Sequence, residues 1–180
     1  MASRLSRIIK KIYFLVRSGG RIRIKGFPVF DRGSRISAIG HGSIYLNAPL
    51  TISYNSHLAV VDGIIEIADN VSINRNCIFA SRERITIGEH CLFGPNVCIY
   101  DHDHIYDETG LHDGYKTAPV IIEKGCWIGA GTIILRGTHI GEGCVVGAGA
   151  IIKGEIPAHS LVINENKTIV RPMGNHITLK

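Results

Sequence analysis

The stretch IEKGCWIGAGTIILRGTHIGEGCVVGAGAII, from Ile122 to Ile152, repeats every six residues. Ile122, Ile128, Ile134, Ile140, Val146 and Ile152 put an aliphatic side chain at each sixth position. Four residues after each of the first five comes a small one: Cys126, Thr132, Thr138, Cys144 and Ala150. The small residue precedes the next aliphatic one by two positions, and residues two apart in a strand share a face. The remaining residues, many of them Gly, turn a corner. Three such segments close a triangular coil of about 18 residues, and stacked coils hydrogen-bond as parallel strands roughly 4.8 Å apart.

The same signal recurs upstream with its phase shifted. Ile67, Ile73 and Phe79 form one run, with Val71 and Cys77 as small partners; Ile87, Phe93 and Ile99 form another, with Cys91 and Val97. Leu46, Ile52, Leu58 and Ile64 continue it loosely, and over residues 22–45 only β-branched alternation remains. Composition agrees: 30 Ile against 10 Leu favours strands, because β-branching restricts rotamers in a helix. The spacing predicts an all-β stack of coils in which Cys77, Cys91, Cys126 and Cys144 are small inward residues rather than catalytic thiols. No Cys-x-x-Cys pair or secretory leader is legible, so free thiols in a reducing cytosol are expected.

Charge divides the chain. The first 26 residues hold eight basic residues and no Asp or Glu, whereas the whole 180-residue chain carries +5. The remainder is mildly acidic, which argues against a nucleic-acid surface along the body. Within residues 1–20, Leu5, Ile8, Ile9, Ile12 and Val16 fall on one helical face, with Arg4, Arg7, Lys10, Lys11 and Arg17 largely off it. Two readings of this amphipathic helix stay open. It caps the stack by packing its apolar face on the first coil, or residues 1–17 make weak peripheral contact with the anionic inner face of the membrane. The body is assigned to residues 21–171 and a tail to 172–180.

The repeat breaks once, over residues 100–119, into a polar loop with three His, four Asp and one Glu. Loops thrown out of a rigid scaffold commonly carry function. The stretch GPNVCIYDHDH (Gly94–His104), followed by residues 118–162 (APVIIEKGCWIGAG…GEIPAHSLV), resembles the hexapeptide-repeat O-acetyltransferases, in the sugar and polysaccharide branch related to maltose and galactoside acetyltransferases. The resemblance covers roughly residues 64–171 and implies a left-handed parallel β-helix, a homotrimer, acetyl-CoA as cosubstrate and no metal. It also implies a cytoplasmic enzyme that acetylates a sugar hydroxyl in surface polysaccharide or glycan biosynthesis.

In that family a loop histidine is the general base. His104, eight residues after Asn96, matches its position, and His102 is the alternative. Imidazole is the side chain whose ordinary pKa suits this step near neutrality. Asp101 and Asp103 are candidates to orient the imidazole or meet the acceptor. Asn74, in Asn74-Arg75-Asn76-Cys77, matches the acceptor-binding Asn of maltose-type enzymes, though an Asn also turns corners by local bonds. Trp127 should point outward beside the loop. The cosubstrate is expected along the coils from Gly129 to Arg171, with Gly129, Ala130, Gly147, Ala148, Lys153 and Arg171 as contacts. Asn164-Glu165-Asn166-Lys167 departs from the family's Gly-Asn-Pro-Ala in that region. Two rivals share the scaffold: N-acetylation of an amino sugar or antibiotic, and a trimeric zinc lyase of the carbonic-anhydrase type. The latter's His-x4-His spacing is missing from the loop.

Overall fold

A computed structural model of the chain describes residues 4–165. The body is a left-handed parallel β-helix of six complete coils and part of a seventh. Three parallel sheets form the faces of a prism. The first runs from Ile22–Lys25 to Glu155–Ile156, the second from Val29–Phe30 to Leu161–Val162 and the third from Arg35–Ile39 to Ile151–Ile152.

Register stacks like on like. Leu46, Ile67, Ile87, Ile122, Ile140 and Ile156 form one inward column; Phe30, Ile52, Ile73, Phe93, Ile128, Val146 and Val162 form the second. Ile36, Leu58, Phe79, Ile99, Ile134 and Ile152 form the third. Nearly all are buried, and full burial of one such side chain contributes about 1.5–3 kcal/mol. Phe79 and Phe93 meet edge-to-face across the axis at 5.1 Å. The small sites are inward as expected: Cys77, Cys91, Cys126, Cys144, Thr132, Thr138 and Ala150 are all buried. Burial pushes the Cys77 thiol up to about 11, so it is not a ready nucleophile.

Coil length explains why the repeat blurs upstream. The step from Ile122 to Ile140 is the expected 18 residues, but Ile44 pairs with Ile65, and Ile65 with Ile85, at steps of 21 and 20. The early coils carry longer strands on the third face, such as Arg35–Ile39 and His57–Val61. Corners need left-handed backbone, which Gly supplies in the first coil and in most of the later ones, and Asn, Asp or His in the coils between: Gly33 sits at φ 79, Asn96 at φ 60 and Gly131 at φ 70.

The N-terminal helix, Arg4–Arg17, docks in another helical phase than the hydrophobic spacing predicts. Phe14 is the buried residue, edge-to-face on Phe30 at 5.1 Å. Lys10 Nζ donates to the Phe30 and Asp31 carbonyls at 2.6 Å each, and Lys11 Nζ to the Gly26 carbonyl at 2.7 Å. The helix therefore caps the first coil through one aromatic and two ammonium groups. Leu5, Ile9, Ile12 and Val16 of the predicted docking face are exposed. The reason is local: the coil offers carbonyl acceptors that the Lys10 and Lys11 ammonium groups meet, and these bonds hold the helix in its rotation.

Candidate active site

The interruption is a β-hairpin rather than an irregular loop. His102–Asp107 pairs antiparallel with Gly110–Thr117, with a bulge between His104 and Ile105. Asp107 forms its turn, accepting from the Thr109 N–H at 2.8 Å and the Thr109 hydroxyl at 2.7 Å. His112 also lies 2.9 Å from Asp107, and these contacts hold the Asp107 carboxyl down to about 2, His112 contributing most.

The root of the hairpin is built on Asp101, whose side chain is wholly buried. Its carboxylate accepts from Ser81 Oγ at 2.6 Å, from the N–H groups of Arg82 and Glu83 at 2.8 Å each, and from His102 Nδ1 at 2.9 Å. The Ala118 N–H returns to the Asp101 carbonyl at 3.0 Å and closes the base. Burial removes Asp101 from acceptor contact and makes it the brace of His102. Donation from Nδ1 leaves the His102 Nε2 lone pair as the free one.

His104 stands two residues further out, exposed, its ring tilted against Tyr115 at 4.7 Å. Tyr115 is a hub: His102 meets it edge-on at 5.4 Å, and the Arg82 guanidinium lies 3.5 Å from its ring centre. Asp103 bonds Arg136 Nε, tying the hairpin to the next coil. Tyr100, His102, Asp103, His104, Tyr106 and Leu135 line a cleft of about 520 Å³. Two imidazoles thus face one open cleft, which suits proton transfer from a bound hydroxyl. Among the described residues no three His, Cys, Asp or Glu side chains gather to hold a metal, and the hairpin's three histidines engage Asp101, Tyr115 and Asp107 separately.

The other candidates lie apart from the cleft. Asn74 is exposed at a corner, and its Oδ1 accepts from the Arg75 N–H at 2.8 Å, a local turn contact. Trp127 does point outward, half-exposed, but on the second sheet between Leu92 and Val145, whereas the hairpin leaves the third. It is not beside the hairpin of its own chain. Gly129 is required by stacking, since a Cβ there would meet the Ala148 nitrogen at 2.5 Å; Ala130, Gly147 and Ala148 share that corner column. Lys153 is exposed at the end of the third sheet, and Arg171 falls outside the described residues. The spacing gave no signal for Arg82, and Tyr115 could have been found only by reading the hairpin's two-residue alternation.

Comparison with known proteins fits this architecture. The family model described as the hexapeptide repeat of succinyl-transferase matches residues 84–99 and 119–153, either side of the hairpin. The chain is 31% identical over 170 residues to Escherichia coli WbbJ, named for lipopolysaccharide biosynthesis O-acetyl transfer; the match covers 87% of this chain and 81% of that one. It is 35% identical over 104 residues to nodulation protein L of Rhizobium leguminosarum, spanning 57% of this chain but only half of that one. A Schizosaccharomyces pombe relative, named for acetyl transfer and 37% identical over 57% of this chain, is likewise matched over half its length. Among solved structures, a variant of AntD, an N-acyltransferase from Bacillus cereus in complex with dTDP-4-amino-4,6-dideoxyglucose and coenzyme A, superposes with a TM-score of 0.67. It is 21% identical, and the match covers 89% of this chain and 83% of that one. A maltose O-acetyltransferase from Clostridium difficile gives 0.53 at 25% identity, over 84% and 69%.

Proposed function

Because the chain belongs to the hexapeptide-repeat acetyltransferase family, we propose that it moves an acetyl group from acetyl-CoA to a sugar hydroxyl in glycan or surface-polysaccharide biosynthesis, with His104 as general base. The observation that carries this reading is the histidine-bearing hairpin thrown from an otherwise regular prism, with His104 eight residues after Asn96 and open to the cleft. The hydroxyl gives its proton to the imidazole as its oxygen attacks the thioester carbonyl; the C–S bond then breaks, and the CoA thiolate leaves and takes up a proton. Gly129, Ala130, Gly147, Ala148 and Lys153 remain the proposed cosubstrate contacts, with Arg171. In support, Lys153 lies two coils beyond Tyr100 on the sheet that carries the hairpin. Asn74 and Trp127 are kept as acceptor contacts, but only across an interface between subunits.

A homotrimer is part of the proposal. The cleft has one wall, and an outward apolar row on the second sheet, Leu92, Trp127 and Leu161 with Ile163 beyond, is exposed in the single chain. Burying that row against a second copy would supply the missing wall. The setting proposed is the cytoplasmic side of a membrane, with the exposed Leu5, Ile9, Ile12 and Val16 meeting anionic lipid. No described helix is long and apolar enough to cross a membrane.

A second reading of the base has its own support: His102, not His104, has a buried carboxylate on Nδ1. Steady-state transfer from acetyl-CoA to a panel of hydroxyl and amino sugars tests both. His104→Ala should lower turnover by on the order of 10²–10⁴, the usual range for losing a general base. If His102→Ala alone does so, His102 is the base. Preference for amino sugars would replace O-transfer by N-transfer, and no transfer to any sugar would reject the reading. Light scattering should give three times the 19.6 kDa chain mass.

A further inference from the structure

The hairpin presents a face of rings. Tyr100, at the end of its strand in the third sheet, and His102, His104 and Tyr106, in the strand His102–Asp107, fall at every second position, and all four line the cleft. The bulge leaves this strand continuous, because its extra residues, Asp113 and Gly114, belong to the returning strand. Across the pair, Tyr115 stands opposite His104 and Leu111 opposite Tyr106, so both extend the same face. Ring centres run from Tyr100 to His102 at 6.5 Å, from His102 to Tyr115 at 5.4 Å and from Tyr115 to His104 at 4.7 Å. Those four rings hold one another. Tyr106 meets no other ring among the described residues; it is 70% exposed, and its cross-strand partner Leu111 is 71% exposed.

The hairpin is held together elsewhere. Asp107, Thr109 and His112 close its turn, and Asp101 closes its root. Two large apolar side chains facing water on the outer half of a two-stranded ribbon therefore point to a bound partner rather than to folding. The cleft identifies that partner. Tyr106 lies two residues, about 7 Å, beyond His104 along the strand. That is one sugar unit further along a glycan whose reacting hydroxyl meets the imidazole. The Tyr106 ring offers a flat apolar surface to the C–H face of a pyranose. The Asp103 carboxylate, held by Arg136 through Oδ2, offers Oδ1 to the hydroxyl rim. A second copy of the chain seated on the ring would fill the space beside His104 that the acceptor must enter.

We propose that Tyr106 forms a second sugar subsite beside the reacting one, so that the acceptor is an oligosaccharide or polymer of at least two sugar units rather than a free monosaccharide. The inference rests on the sugar-acetyltransferase reading and names its substrate class. One unit gives up its hydroxyl proton at the imidazole while its neighbour stacks on Tyr106.

The test compares acceptors of increasing length. Glucose, galactose, mannose and N-acetylglucosamine, each with its disaccharide and trisaccharide, are offered to the full-length protein at saturating acetyl-CoA. In the series that is acetylated, kcat/KM should rise from monosaccharide to oligosaccharide by about tenfold, the scale of one stacked aromatic contact. Tyr106→Ala should remove most of that gain, and Tyr106→Phe, which keeps the ring, should retain it. Tyr106 is exposed, so the melting temperature of the variants should match that of the wild type. Acetyl transfer that does not favour the longer acceptor, or a preference that survives in Tyr106→Ala, overturns the proposal. A preference lost only together with the assembly's mass in light scattering also overturns it, and makes Tyr106 a contact between copies. No transfer to any member of the panel overturns the sugar-acetyltransferase reading itself.

Discussion

Asp101 Oδ1 lies 2.9 Å from His102 Nδ1, and the same carboxylate satisfies two backbone N–H groups and a serine hydroxyl at full burial. One side chain therefore sets the tautomer of an imidazole and closes a corner of the prism. The two roles separate by substitution. Asp101→Ala leaves the Arg82 and Glu83 N–H groups and the Ser81 hydroxyl without their acceptor and should cost about 3–5 kcal/mol, lowering the melting temperature by roughly 10 °C. Asp101→Asn keeps one acceptor oxygen and should lose less stability. If His102 is only a strut, transfer by the folded Asn variant stays within about tenfold of wild type; a loss of about 10³ or more marks His102 as the base.

The Tyr115 ring, between His104 and the Arg82 guanidinium, makes a second prediction. Arg82 reaches His104 only through that ring, so it is a positioning residue. A cation–π contact contributes about 0.5–2 kcal/mol. Arg82→Ala should therefore lower kcat by about three- to thirtyfold, with KM for acetyl-CoA unchanged, and Arg82→Lys should restore part of it. Equal falls in kcat and in melting temperature for both variants would make the stack purely structural.

How much of an element is legible in the sequence depends on which contact decides it. From Ile122 to Ile152 one side-chain volume is needed at each inward site, and the period shows it. Upstream, the added residues on the third face change the coil step to 21 and 20, so the same inward columns exist without a fixed spacing. The hairpin's chemistry was visible as a cluster of His and Asp. Its pairing was not, because a bulge between His104 and Ile105 breaks the two-residue alternation; nor were the burial of Asp101 and the Arg82–Tyr115 stack, which join residues roughly twenty or more positions apart. For the N-terminal helix, hydrophobic spacing pointed to the wrong docking face. Backbone carbonyls of the first coil leave no trace in its side-chain pattern, and they are what Lys10 and Lys11 seek.

That docking gives a third prediction. Phe14 is buried on Phe30, whereas Ile9 and Ile12 are exposed. Phe14→Ala should cost about 3 kcal/mol and release the helix from the first coil. Ile9→Ser with Ile12→Ser should leave the melting temperature within about 2 °C, as surface changes do. If the exposed face meets lipid, the double variant should also stop the protein co-sedimenting with anionic vesicles at low salt. Wild-type protein that never sediments with such vesicles removes the membrane from the proposal.

The last prediction concerns the C-terminal coils. His139 places Nε2 2.9 Å from Glu123 and Nδ1 2.9 Å from Glu155, so its ring bridges three successive strands of the first sheet. Both nitrogens can donate only when the imidazole is protonated. The Glu123 hydrogen bond, opposed by slight desolvation and helped by Glu155, raises the His139 pKa above its ordinary value, while His139 and the Glu142 N–H lower that of Glu123. The signs set the window. A raised histidine contributes stability that is complete below about pH 6.5 and is lost as pH rises through the folded value. A depressed carboxylate contributes above about pH 4.5 and is lost as pH falls through its folded value. The bridge should be strongest between about pH 5 and 6. Hydrogen exchange at the Gly141 amide, which bonds the Ile156 carbonyl at 2.9 Å, reads it locally. After correction for intrinsic rate, opening there should rise by no more than several-fold from pH 6 to 8, the scale of an exposed pair. His139→Gln, which cannot become cationic, should flatten that dependence and leave exchange in the central coils unchanged. An unaltered pH dependence in the variant would show that the bridge does not hold the final coil.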